Sequence, residues 1–250
     1  MVGRLSHRTR GRILHWPFTI HTKANPQMNI GMLVFPDITA TDYAAPADLL
    51  VRIPGANLQL VWKHTATMET ELGWKFNATI SFADCPALDV LVVPGGPGVG
   101  KLLQDQEVID FLAKQGAAAE WIVGICTGPL LLGAAGLLSG YEATCHWASH
   151  ELLDLVGAKR KNERVVVDRN RITGAGVTSG IDCALRAISL LADNDTSRSI
   201  QLFAEYDPQP PFDAGTPEKA PAHIVQAMRE KISPVVEGRR AVLEARLKAR

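Results

Sequence analysis

A cysteine bracketed by glycines at a strand-to-helix junction most constrains the fold of this 250-residue chain. Residues 121–125 form a short apolar run rich in β-branched side chains, which is typical of a buried strand. Residues 129–133 continue with leucines that favour a helix, and the pattern Gly-Ile-Cys-Thr-Gly at 124–128 joins the two runs. Glycines at such positions permit a sharp turn that raises the central side chain above the edge of a sheet. The sequence therefore predicts an α/β fold with a nucleophile elbow at Cys126.

Cys126 has two interpretations on sequence alone. Free cysteine is among the most buried residue types, which is compatible with an inert core position. The glycine bracket and the change from strand to helix favour a reactive thiol instead. A helix that begins just after Cys126 would point its free N–H groups and positive dipole end at the sulfur, which predicts a thiolate.

The segments around the elbow predict a doubly wound, mostly parallel sheet, the flavodoxin-like sandwich, because strands alternate with helices. Strands are expected at 29–35, 58–63, 88–93 and 121–125, and helices at 42–52, 105–119, 151–156, 174–191 and 196–206. Residues 68–81 should form a hairpin outside the main sheet, and residues 164–173 a second hairpin. Ligands of such sheets bind beyond the carboxyl ends of the strands, where Cys126 and the glycine-rich loop 94–98 fall.

The chain divides into three expected segments. Residues 1–27 carry five basic residues and no acidic one, which indicates a disordered leader or a start assigned too early, with Met28 as the real start. Residues 28–206 form the α/β domain. Residues 207–250 are a proline-rich and then charged, helical extension that either enlarges a dimer interface or stays mobile.

Composition excludes several classes of partner. The 26 basic and 26 acidic residues balance, so there is no electrostatic argument for nucleic acid or a membrane surface. No apolar run reaches the roughly 18 residues of a membrane span. The four cysteines are scattered without a paired motif, which indicates neither a metal site nor a disulfide framework and favours the cytoplasm.

Asp42 is the expected partner of Cys126. It lies at the start of the helix that follows the first strand, so its carboxyl should hang over the same rim of the sheet as the sulfur. The alternative is an acid that only stabilises the helix dipole.

Short strings at residues 31–36, 41–42, 91–96, 125–128 and 144–147 resemble those of the ThiJ/PfpI superfamily of class I glutamine amidotransferase-like proteins. Longer strings resemble its isocyanide hydratase branch in particular, at residues 60–63, 82–86, 146–150, 168–172 and 201–206. The resemblance covers residues 28–206 and implies the flavodoxin-like fold.

Departures from other branches are equally informative. Thr127 stands where the peptidase-like members of the superfamily have a histidine, and Asp42 replaces the glutamate of the glyoxalase and deglycase members. AraC-type regulators share the fold but add a pair of helix-turn-helix units, for which residues 207–250 are too short.

The resemblance implies a cysteine-dependent hydro-lyase that hydrates an isocyanide to an N-substituted formamide through a thioimidate. Cys126 would attack the terminal carbon while a proton arrives from solvent or from Asp42, and Asp42 would then position and deprotonate the water. The backbone of Gly95, Gly96 and Thr127 would stabilise negative charge. Four residues would support the site from further out: His146, Ala175, Val177 and Thr178. For His146 a structural role is at least as compatible with the sequence as a catalytic one.

The implied partners are a small-molecule isocyanide, water and a second copy in a homodimer, with no metal or organic cofactor. The alternative function is a non-catalytic or redox-sensing relative that uses an oxidisable Cys126. An AraC-type regulator without its DNA-binding region is a further alternative.

Overall fold

A computed structural model describes residues 27–248. Its strands are β1 (Met28–Leu33), β2 (Ala56–Trp62), β3 (Met68–Glu69), β4 (Lys75–Phe76), β5 (Ile80–Ser81), β6 (Val90–Val93), β7 (Trp121–Ile125), β8 (Glu142–Ala143), β9 (Lys159–Arg160), β10 (Val165–Asp168) and β11 (Arg171–Gly174). Its helices are α1 (Ala40–Leu50), α2 (Val99–Leu102), α3 (Gln106–Ala118), α4 (Gly128–Ala134), α5 (Ser179–Leu191), α6 (Asn194–Phe203) and α7 (Ala222–Lys248), with a 3₁₀ segment at Trp147–Val156.

The main sheet has the order β10-β11-β7-β6-β1-β2-β5. All of its neighbouring strands are parallel except the hairpin β10–β11. The predicted doubly wound, mostly parallel fold is therefore confirmed. Since β1, β6 and β7 lie side by side, their carboxyl ends bring α1, the loop after β6 and the elbow to one rim.

Helices cover both faces of the sheet and form two cores. On one face α1, α5 and α6 bury side chains such as Leu50, Ile188 and Ile200. On the other face α3, α4, the 3₁₀ segment and α7 bury a larger cluster that contains Leu112 and Leu243. Because helices cover both faces of the sheet, its central strands are near-continuous apolar runs in the sequence.

The elbow glycines are required by close packing. A Cβ at Gly124 would lie 2.9 Å from Leu132 Cδ1, and a Cβ at Gly128 would collide with the Val93 carbonyl oxygen. Only glycine lets β7 turn into α4 against the end of β6.

Several elements differ from the sequence-based expectation. The hairpin predicted at 68–81 forms from β3 and β4, but β5 returns to the main sheet and pairs with β2. The helix predicted from residue 174 begins only at Ser179, because Gly174 is held in β11 opposite Ile125. Two-residue strands and the one-turn helix α2 escape prediction, since they are too short to show a period.

The C-terminal extension contains the predicted helix, but the helix does not stand away from the α/β body. Leu243 of α7 is 2% exposed within the core, and Arg246 Nη1 donates to the Leu103 carbonyl at 3.1 Å. The leader predicted at 1–27 lies outside the described residues except for its last position, Gln27.

Candidate active site

Cys126 occupies a strained turn between β7 and α4. Its φ is +57°, in the left-handed region that non-glycine residues rarely adopt. Its N–H donates to the Gly174 carbonyl at 3.1 Å, and its own carbonyl accepts from the His146 N–H at 2.9 Å. These two hydrogen bonds hold the turn in place, and the side chain is only 4% exposed.

Asp42 reaches the sulfur from the first turn of α1. It is fully buried, and its Oδ2 accepts the Gly95 N–H at 3.1 Å. Its Oδ1 is also buried and has no hydrogen-bond partner, and the Cys126 thiol lies close enough to the carboxyl to influence its pKa. The two expected catalytic side chains are therefore brought together in a closed site.

Burial dominates the electrostatics of this pair. It raises the pKa of Asp42 to about 7, against the opposing hydrogen bonds from Cys126 and Gly95, and the nearby Glu71 carboxylate raises it further. The pKa of Cys126 lies well above its ordinary value, first because of burial and then because of the Asp42 charge. The Thr127 N–H, which donates to the sulfur, acts in the opposite direction.

The expected resting thiolate is not what this environment favours. α4 has only seven residues, and its dipole is outweighed by burial and by the adjacent carboxyl. The resting pair is better described as a thiol beside a carboxyl group that exchanges its proton near neutral pH.

The glycine-rich loop after β6 supports the pair from the side. Gly95 donates to Asp42, and the Gly96 N–H donates to Thr127 Oγ1 at 3.1 Å. Both donors are therefore already engaged, so the geometry leaves the Thr127 N–H as the backbone donor that faces the sulfur. Gly96 has a φ of +141°, and a Cβ there would lie 2.6 Å from the Thr39 nitrogen, which makes glycine necessary.

The four supporting residues line a cavity of about 1060 Å³ beside the elbow, whereas Cys126 and Asp42 are not on its wall. His146 Nδ1 accepts the Ala148 N–H at 3.3 Å and so caps the 3₁₀ segment. Burial, and then the charge of Arg239, lower the pKa of His146 and favour its neutral form. Ala175 N–H donates to the Arg164 carbonyl at 2.9 Å, and Thr178 precedes α5.

Arg239 is a site residue that sequence reasoning did not find. It lies on α7, is 5% exposed, and donates from Nη2 to the Gly96 carbonyl at 2.9 Å. α7 carries several arginines, and no local motif distinguishes Arg239 from Arg240 or Arg246.

No group of three His, Cys, Asp or Glu side chains within residues 27–248 is arranged to hold a metal ion. In the same range no helix combines the length and the apolar character needed to cross a membrane.

Comparisons with known proteins agree with this architecture. The chain is 43% identical to the isonitrile hydratase of Pseudomonas putida over 217 residues, which are 87% of this chain and 95% of that protein. It is 28% identical to an HTH-type transcriptional regulator of Pseudomonas aeruginosa over 195 residues, which are 73% of this chain but 52% of the regulator.

Among solved structures, the crystal structure of a ThiJ/PfpI family protein from Pseudomonas syringae superposes with a TM-score of 0.85 at 38% identity. The match covers 94% of this chain and 98% of that one. A model of the DJ-1/PfpI family matches residues 28–190, which include β1, the glycine-rich loop and the elbow. The chain therefore belongs to the DJ-1/PfpI family.

Proposed function

We propose that this protein is an isocyanide hydratase, an enzyme that adds water to R–N≡C to give an N-substituted formamide. The observation that carries the proposal is the buried contact between the Cys126 thiol and the Asp42 carboxyl at the elbow. The 43% identity to the isonitrile hydratase of Pseudomonas putida supports the same reaction.

The first step joins sulfur and hydrogen to the same carbon. Asp42 takes the thiol proton as the Cys126 sulfur attacks the terminal carbon, and that proton is delivered to the carbon lone pair. The product is the neutral thioimidate R–N=CH–S–Cys126. The negative charge that develops is stabilised by the Thr127 N–H.

The second step is hydrolysis of the thioimidate. Asp42 accepts a proton from water as the oxygen adds to the carbon and passes that proton to the nitrogen, which gives R–NH–CH(OH)–S–Cys126. As the C–S bond breaks, Asp42 transfers the hydroxyl proton to the departing sulfur, and R–NH–CHO is released. A carboxyl with a pKa of about 7 suits both directions of transfer, because a general acid–base catalyst works best near the operating pH.

The enzyme acts on a small neutral substrate and water, needs no metal or organic cofactor, and works as a homodimer in the cytoplasm. The described cysteines are all free, which suits a reducing compartment. A DNA-binding role has less support, because residues 222–248 form one long helix rather than several short ones.

Turnover of a panel of alkyl and aryl isocyanides tests the function. Cys126→Ala should abolish formamide production while the protein stays folded, because no other nucleophile lies in the turn. The matched control is Cys85→Ala, which removes a half-buried thiol outside the site and should leave kcat unchanged.

Retention of more than about a tenth of wild-type kcat by Cys126→Ala would contradict nucleophilic catalysis at this residue. Consumption of no more than one equivalent of reagent per wild-type chain would identify a sensor instead of an enzyme.

A further inference from the structure

Arg239 is a buried cation without a carboxylate partner in the described part of the chain. Nη2 donates to the Gly96 carbonyl at 2.9 Å and Nη1 to Ser149 Oγ at 3.2 Å, while the buried Nε has no hydrogen-bond partner. Burial lowers the pKa of Arg239, and negative charge on the sulfur of Cys126 or Cys145 would raise it. A buried guanidinium paired only with neutral acceptors is unfavourable unless a nearby group becomes anionic.

The contacts of Arg239 reach the reacting pair through the glycine-rich loop. Gly96, whose carbonyl Arg239 binds, donates its N–H to Thr127, and Thr127 donates its own N–H to the Cys126 sulfur. The adjacent Gly95 donates to Asp42. The guanidinium therefore fixes the loop that orients both members of the pair.

We propose that Arg239 is a positioning residue that stabilises the anionic state shared by Cys126 and Asp42 and holds the Gly95–Gly96 loop in place. α7 thereby supplies a part of the active site from outside the region 28–190 that the family model matches. The inference deepens the proposed function, but the charge effect itself is measured without any isocyanide.

The other ionisable groups near the pair do not supply this charge. Glu71 faces Asp42 from the β3–β4 hairpin and carries the wrong sign. His146 and Cys145 lie just before the 3₁₀ segment, and burial disfavours the charged form of each. On the outer side of α7, Arg240 faces Glu151 and Glu237 at 3.7 Å.

Titration of Asp42 by carbon-13 NMR of aspartate-labelled protein is the primary test, with the signal assigned by its loss in Asp42→Asn. In Arg239→Gln the midpoint should rise by about one pH unit, because an opposite charge nearby favours the ionised form. Arg239→Lys, which keeps the charge, should stay near the wild-type midpoint.

The matched control is Arg246→Gln. Arg246 also anchors α7, through the Leu103 carbonyl and Gln106 Oε1, each at 3.1 Å, but it lies away from the pair. If Arg239 only secures the helix, the two glutamine variants will lose stability and leave the midpoint unchanged. That result would overturn the proposal.

A second pair of variants tests the charge if Arg239→Gln does not fold. Ser149→Asp places a carboxylate against Arg239 and cancels its charge, whereas Ser149→Asn keeps similar size without charge. The midpoint of the Asp42 titration should rise in Ser149→Asp but not in Ser149→Asn. Equal midpoints in these two variants would contradict the proposal.

Alkylation of Cys126 by iodoacetamide in a Cys85→Ser background gives an independent readout. At a pH below the midpoint its rate should fall about 10-fold in Arg239→Gln. A shifted midpoint without formamide production would refute the proposed function alone, and full turnover with an unshifted midpoint would refute the role of Arg239 alone.

Discussion

Asp42 and Cys126 hold at most one negative charge between them near neutral pH. The Asp42 charge raises the pKa of Cys126, the Cys126 side chain lowers the pKa of Asp42, and burial penalises a second charge in the same closed space. The pair therefore behaves as one acid with one exchangeable proton, and that proton is the one the proposed reaction places on carbon.

Asp42→Asn should lower kcat by about 10²-fold or more, because an amide keeps the size but cannot exchange the proton. Steady-state kinetics with a single isocyanide measures this. If Asp42 only stabilises the α1 dipole, the variant will be about 0.3–1 kcal/mol less stable with an unchanged rate.

The Asp42→Asn variant should also remove part of the pH dependence of the free energy of unfolding. The folded chain binds the Asp42 proton more tightly than the unfolded chain, because the pKa rises from 3.8 to about 7 on folding. This contribution is fully present below the unfolded pKa and is lost as pH rises through the folded one. As the pH rises from about 5 to about 8, the free energy of unfolding of Asp42→Asn should therefore increase by about 2–3 kcal/mol relative to that of the wild type.

Urea unfolding at both pH values measures that change. The control is Asp48→Asn on the same helix, whose side chain is 63% exposed and pairs with Arg52. It reports the effect of an Asp-to-Asn change at an exposed position of the same helix. A difference for Asp42→Asn that does not change with pH would show that Asp42 ionises as readily in the folded chain as in the unfolded one.

Cys126 and Asp42 were identifiable because local sequence shapes their surroundings. Glycines bracket Cys126, and Asp42 lies at the start of the helix that follows the first strand. Arg239 and Glu71 gave no such signal, since their approach to the site depends on how α7 and the β3–β4 hairpin pack. The prediction of a resting thiolate at Cys126 was also wrong, because the four residues around it do not show how deeply the sulfur is buried.

The elbow depends on three segments that meet without room for side chains. The end of β6, the loop at Gly95 and the start of α4 approach so closely that a Cβ on Gly128 would overlap the Val93 carbonyl oxygen. Backbone in such contact cannot give way as a flexible side chain does.

Gly128→Ala should destabilise the protein by about 2 kcal/mol or more, because its Cβ would overlap backbone. Gly238→Ala in α7 is the control, since its Cβ meets nothing within 4 Å. There alanine should add about 0.5–1 kcal/mol of stability through its higher helix propensity. Equilibrium unfolding distinguishes the two, and similar effects would contradict the packing argument.

Most long elements were predictable and most short ones were not. The runs around β1, β2, β6 and β7 are apolar enough to identify buried strands, and α3 begins within one residue of its expected start. β8 and β9 pair only through tertiary contact and leave no period. The late start of α5 follows from the pairing of Gly174 with the elbow strand, which is a property of the sheet.

The molecule as a whole joins a family core to a C-terminal helix whose Arg239 contacts the glycine-rich loop beside Cys126. A single chain still leaves large apolar side chains on its surface, namely Leu72, Trp74, Leu202 and Phe212. Burial of some of these against a second copy would contribute to association.

Sedimentation velocity should therefore give a species of about twice the 27.1 kDa chain mass. The dimer should persist across dilution into the nanomolar range that a stable interface of ordinary size supports. A species of single-chain mass at every concentration would contradict the homodimer.

The enclosure of the Cys126 sulfur also affects which electrophiles the protein can meet. An isocyanide presents a narrow, linear and uncharged head, which loses little hydration on entering a closed site. A branched, bulky or anionic electrophile of greater intrinsic reactivity has to displace packed side chains or give up its water shell. We therefore expect cross-section and charge, rather than chemical reactivity, to decide which reagents inactivate this protein in a mixed cellular pool.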